Sequence, residues 1–167
     1  MCVVFFFIHF FLFAFLTFSH IVIAQNILEN GGFEDGQGDW STYFGSGYGG
    51  SLSIISSNAH SGLKAARVHI SQVPSSPSVL DVQLKNNSFH IDNGHAYHLT
   101  LWMKADQTVD VQIILVKNTS PWTWLNAKTV TLNTGYQMYD LYVDSAPFTT
   151  SDDVRFAVRC GNTPAYI

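Results

Sequence analysis

NILENGGFEDGQGDW, residues 26–40, opens on a short apolar pair, Ile27 and Leu28, and breaks at once into Asn30-Gly31-Gly32. Glycine there permits a positive φ or a close backbone approach, so the segment predicts a tight turn at the entry to a β domain. Phe33 returns to the core beside the acidic pair Glu34 and Asp35, and Gly36, Gly38 and Trp40 close the stretch.

Outward from this entry the pattern is β throughout. Leu80, Val82 and Leu84 alternate with Asp81, Gln83 and Lys85, the period of two that marks a half-exposed strand. Val109–Val116 is apolar and β-branched, Lys128–Leu132 alternates, and Tyr139, Leu141 and Val143 face away from Asp140, Tyr142 and Asp144. Asn93-Gly94 and Asn133-Thr134-Gly135 supply turns between such runs. Beyond the first 24 residues no stretch keeps a helical apolar stripe for three turns. The expectation is an all-β sandwich or jelly roll.

Four segments carry a family likeness. They are the opening L-x-N-G-x-F-E-x-G with its following Trp; His60-Ser61-Gly62 with Ala65, Ala66 and Val68; Gly94–Ala105; and Val154–Gly161. In this order they resemble the carbohydrate-binding modules of the 4/9/22 type, over nearly all of residues 26–167. The resemblance implies a jelly-roll β-sandwich of the galactose-binding-domain-like kind. It also implies a non-catalytic module that takes a β-linked plant or microbial polysaccharide on a concave sheet face, by aromatic stacking and polar contacts. Attachment to a glycoside hydrolase is one origin for such a module.

Residues 2–24 are almost wholly apolar, with eight Phe before position 19 and no Lys or Arg. Val22-Ile23-Ala24 places small or branched residues for cleavage before Gln25, so residues 1–24 read as a signal peptide, with an uncleaved anchor as the other reading. Either way the domain is exported, and a cleaved signal leaves a secreted monomer without stable membrane association. Residues 25–167 then form one domain of 143 residues, large enough to hold a core without a disulfide framework. Cys2 leaves with the signal and Cys160 remains alone, expected buried on a strand. Eight basic against twelve acidic residues argue against nucleic acid as a partner.

Within the last motif, Phe156 and Val158 share one strand face and Arg155, Ala157 and Arg159 the other. The resemblance puts Arg155 and Arg159 at ligand-facing positions where the family commonly carries amides. The competing reading pairs them with acidic neighbours such as Asp81 or Asp110. Tyr43 stands where the family has a strand-end tyrosine, and Trp122 and Trp124 where it has a second stacking aromatic. One of that tryptophan pair is expected to turn into the core, with Trp122 the ligand-facing member. Gln83 and Lys85, on the polar side of their alternation, complete the candidate carbohydrate site. Trp40 reads as core, and Trp102 is open between core and surface.

Metal chemistry has two candidates. His95 and His98 lack the cysteine or carboxylate partners of a zinc site and read as surface histidines. The resemblance implies a structural calcium near Glu34, carbonyls around Ser61 and an aspartate on the final strand. The chain stops at Pro164–Ile167 as that strand should begin, so the aspartate is missing and the last strand reads as truncated; Glu34 and Ser61 remain the candidate ligands. Two further readings stand beside the binding module. One is a jelly-roll polysaccharide lyase or hydrolase, with Tyr97, His98 and Arg159 as its set; the other is a cell-wall or matrix adhesin without sugar stacking. Sequons at Asn86 and Asn118 can carry glycans in a eukaryotic host.

Overall fold

The computed structural model describes residues 26–144 and 151–167. The predicted signal and Cys2 lie outside these. Eleven strands follow in chain order: β1 Ser41–Phe44, β2 Gly49–Ile55, β3 Ala65–Gln72, β4 Val82–Lys85, β5 Phe89–Ile91 and β6 Ala96–Met103. β7 Val109–Lys117, β8 Trp124–Leu132, β9 Gln137–Asp144, β10 Ser151–Arg159 and β11 Ala165–Tyr166 complete them. Leu80 and Asp81 belong to a 3-10 turn, Val79–Asp81, capped by Ser78, so the predicted strand there is shorter and begins at Val82. Among the described residues no helix is long and apolar enough to cross a membrane.

All pairings are antiparallel. One layer runs β1-β4-β10-β7-β8, with β5 also on β10; opposite it lie the sheets β11-β3-β2 and β6-β9. The jelly-roll β-sandwich expected from the alternation is therefore what the chain forms. Phe156, Val158, Val111, Ile113, Val82, Val68, Leu141 and Val143 fill the space between the layers, each under 5% exposed. Each such aliphatic or aromatic side chain contributes about 1.5–3 kcal/mol by leaving water.

The entry segment forms the expected tight turn, but its positive φ falls on Asn30 and Phe33, and further on Gly36 and Gly38, rather than on Gly31 or Gly32. Asn30 and Phe33 adopt φ of 47° and 59°, and Phe33 N–H bonds the Asn30 carbonyl at 3.0 Å. Trp40 is core as expected: it is 3% exposed, tilted against Phe33 at 5.1 Å and edge-on to Phe156 at 5.9 Å. Cys160 is a free, buried thiol packed in the same cluster. Burial pushes its pKa up to about 12.

One seam interrupts the second layer. β3 and β6 share no sheet, and between them opens a cleft of about 600 Å³ that reaches Trp40, Phe156 and Cys160. It is a gap between the two sheets of that layer.

Candidate functional site

The outer face of the β1-β4-β10-β7-β8 layer gathers most of the predicted residues. The strand register builds one row from Tyr43, Gln83, Arg159, Gln112 and Thr129, and the next from Ser41, Lys85, Ala157, Ile114 and Ala127. Arg155 stands opposite Val116, which in turn faces Trp124 across a bulge. Residues opposite one another in antiparallel strands share a sheet face, so Tyr43, Gln83, Lys85, Arg155, Arg159 and Trp124 line one surface.

This surface has an apolar floor. Ile114, Val116 and Ala157 are wholly buried although they point away from the main core, and Ala127 packs on them. The polar side chains of the face cover them. That explains why the Ile113–Val116 part of β7 is apolar without a break, and why Gln83, expected on a half-exposed face, is buried.

Arg155 and Arg159 are 9% and 6% exposed. Their hydrogen bonds run to amides. Arg155 Nη1 donates to Asn118 Oδ1 at 3.0 Å and its Nη2 to Gln83 Oε1 at 3.4 Å; Arg159 Nη1 donates to Gln112 Oε1 at 3.1 Å. The Nε of each is buried with no partner. Neither pairs with Asp81 or Asp110, whose alternative is thereby set aside: Asp110 accepts instead from Thr131 at 2.6 Å. Among the described residues, ion pairs join His90 to Asp92 and His98 to Asp140, and none includes an arginine. Burial pushes both guanidinium pKa values down; Arg155 lowers Arg159 further, whereas Asp153 partly restores Arg155. Lys85 is lowered as well, by burial and then by Arg155.

Above the arginines stand the tryptophans. The Arg155 guanidinium lies 5.5 Å from the Trp122 ring centre and that of Arg159 5.2 Å from Trp124, both within cation–π range. The rings are 49% and 50% exposed, so neither turns into the core. The expectation that one would do so fails for two reasons. Residues two apart share a strand face rather than alternating. Trp122 also precedes β8, in a loop where its φ is 55° and its N–H bonds the Thr119 carbonyl at 2.8 Å. Tyr43, 46% exposed, stands at the far end of the row.

Sequence reasoning missed two members of this site, Gln112 and Asn118. Gln112 is the amide that, with Asp110, interrupts the apolar β7 run on one face, a signal that was available. Asn118 drew notice only as a sequon. Its amide donates to Ser88 Oγ at 2.9 Å and accepts from Arg155, so both ends are engaged.

Other predicted residues lie elsewhere. Trp102, left open by the sequence, is 46% exposed on β6, with the His60 ring stacked 3.8 Å away. Tyr97 and His98 are consecutive on β6 and point to opposite faces. His98 bonds Asp140 at 2.8 Å and stacks on Tyr142, in the layer away from Arg159, so the lyase set is not brought together. Glu34 Oε1 accepts from the N–H groups of Leu63 at 2.9 Å and Lys64 at 3.1 Å, and the Lys64 ammonium donates to the Glu34 carbonyl at 2.6 Å. A calcium ion needs a shell of oxygens. Glu34 here faces N–H donors and an ammonium, and among the described residues no cluster of three or more His, Cys, Asp or Glu forms, so Glu34 and Ser61 as arranged do not fit the ion.

A jelly-roll sandwich with exposed aromatic rings set over amide-held guanidinium groups on one sheet face is, by class, a glycan-binding module. The chain belongs to the carbohydrate-binding domain family of the 4/9 type, whose profile matches residues 25–165. Among solved structures, one described as "CBM4 structure and function" superposes with a TM-score of 0.64 at 17% identity, over 82% of this chain and 91% of that one. The N-terminal cellulose-binding domain of Cellulomonas fimi β-1,4-glucanase C gives 0.52 at 18% identity, over 76% and 80%. The family 61 module TmCBM61, solved with β-1,4-galactotriose, gives 0.52 at 15%, over 86% and 92%. These likenesses speak for the fold. No curated protein matches the sequence significantly.

Proposed function

We propose that this protein is a secreted, monomeric, non-catalytic module that binds a β-linked polysaccharide of plant or microbial walls across the outer face of the β1-β4-β10-β7-β8 layer. The observation that carries the site is the pair of half-exposed rings, Trp122 and Trp124, each seated over a buried guanidinium. A pyranose has an apolar C–H face and a hydroxyl rim. The ring takes the first, and polar groups of the same surface, Tyr43, Gln83 and Lys85 with Arg155 and Arg159, take the second. Exposing two large rings costs solubility without a partner, which is why such patches mark interaction sites.

Two stacked rings and about four hydrogen bonds at roughly 1 kcal/mol each give a gross gain near 6 kcal/mol. Ordering of sugar and side chains offsets part of it, so oligosaccharides bind with Kd on the order of micromolar to millimolar. Calorimetric titration with cellohexaose, xylohexaose and mannohexaose tests this reading. Absence of heat with all three, together with silence on a wider glycan array, refutes it. Incubation with xylan, mixed-linkage glucan, alginate or pectin should release neither reducing ends nor unsaturated uronate. Product that accumulates with turnover would favour the lyase. An adhesin that needs no stacking would keep its binding in a Trp122→Ala, Trp124→Ala double variant.

A further inference from the structure

The glycan face holds more positive charge than a neutral sugar needs. Lys85, Arg155 and Arg159 share one sheet surface, in a chain whose formal net charge is −4. Among the described residues none of the three forms an ion pair. The guanidinium contacts that fix Arg155 and Arg159 are neutral amide oxygens. The carboxylate on the same β7 face, Asp110, is bonded to Thr131. Asp153, whose oxygens accept from Ser88 at 3.3 Å and Thr119 at 2.6 Å, acts on Arg155 only at a distance. Arg159 has no such relief, since the charge that perturbs it is that of Arg155. Its Nη2 carries no hydrogen bond and is not among the sealed, unpartnered atoms, whereas its Nε is. A buried cation without a counter-charge is costly, and proteins usually neutralise it or pair it.

We propose that the missing counter-charge arrives with the ligand, and that the polysaccharide taken by this face is acidic, carrying uronate carboxylates. This rests on the glycan site assigned above. A uronate residue stacked on Trp122 or Trp124 brings its carboxylate into the field of Arg159, Arg155 and Lys85. There it is held by charge-assisted hydrogen bonds, which are stronger than those to a neutral hydroxyl. A sulfated chain supplies charge too. The proposal is for the carboxylate, and the dextran sulfate arm of the test separates the two.

The test uses the wild-type protein and three hexasaccharides of one backbone: cellohexaose, its C6-oxidised form (the β-1,4-linked glucuronate hexamer), and the methyl ester of that hexamer. At about 50 mM salt the free acid should bind at least about tenfold more tightly than the ester or the neutral parent, about 1.4 kcal/mol. The advantage should shrink as salt rises to about 0.5 M, where the Debye length has fallen well below 10 Å. In Arg159→Gln the acid-to-ester affinity ratio should fall toward one, whatever happens to each affinity alone. Equal binding of acid and ester overturns the acidic-glycan inference and leaves the glycan site standing. Binding of none of the three, nor of polymannuronate, overturns the acidic-glycan inference, and the glycan site then stands or falls with the neutral titrations and the glycan array above. Dextran sulfate bound as tightly as the glucuronate hexamer would show a general polyanion surface and would also overturn the inference. If Arg159→Gln fails to fold, the wild-type acid-to-ester comparison and its salt series decide alone.

Discussion

Replacing Arg159 by methionine should make the fold more stable. Arg159→Met keeps an unbranched apolar stem of similar length and removes the charge. Five contributions change. The Nη1 bond to Gln112 and the cation–π contact with Trp124 are lost, together about 2–4 kcal/mol. The buried Nε without a partner disappears, which returns about 1–3 kcal/mol. Residues four apart on a strand are about 13 Å apart, so at an effective dielectric of 20 the repulsion from Arg155 returns about 1 kcal/mol. Relief of the desolvated charge adds a few kcal/mol more. The net is a gain of about 2 kcal/mol, or roughly 4–8 °C in Tm for a domain of this size. The sign agrees with the lowered pKa: the folded state disfavours the charged form, and at neutral pH the group is charged in both states, so the cost falls on the fold at constant size. Thermal unfolding followed by far-ultraviolet circular dichroism measures it. A Tm lowered by several degrees would mean that the guanidinium is a structural anchor, and the argument from an unneutralised charge would fail.

Three other outcomes follow from the same geometry. Trp124→Ala should weaken a bound hexasaccharide about five- to tenfold by calorimetry, since a stacked ring contributes about 1–1.5 kcal/mol beyond its area; unchanged affinity would remove Trp124 from the site. The Cys160 thiol, raised by burial from 9.0 to about 12, stays protonated in the fold while the unfolded chain ionises first. Stability should therefore fall between about pH 9 and 12, by up to about 1.4 kcal/mol per unit from this thiol; urea unfolding at several pH values should show the slope, and Cys160→Ala should flatten it, leaving the part due to Tyr136 and Tyr139, whose pKa values burial also raises. Excess EDTA should leave Tm unmoved, because Glu34 is already held by Leu63 and Lys64 N–H groups; a drop reversed by calcium would restore the ion the family likeness implies.

The sequence alone determined the layer architecture and the side of β10 that faces outward. Alternation places Phe156 and Val158 opposite Arg155 and Arg159 whatever the partners, because successive side chains on a strand must point to opposite faces. Cys160 as a buried thiol was legible from the strand pattern it follows, and Trp40 as core from the family likeness, whose motif buries it. Tertiary structure decided what meets what. Tyr43, Gln83, Arg159 and Gln112 come from four strands distant in sequence, and only the register of β1, β4, β10 and β7 sets them in one row. The fate of the arginines was open between ligand and salt bridge. Local pattern cannot show that the acidic neighbours bond elsewhere, or that amides from Gln83, Gln112 and Asn118 fix the guanidinium groups instead. The exposure of both tryptophans was equally hidden, since it depends on a loop backbone with positive φ at Trp122 and on the buried cations beneath the rings. A one-dimensional period fixes which face a side chain takes; the charge and contacts it finds there are set by strands that pair across the sheet.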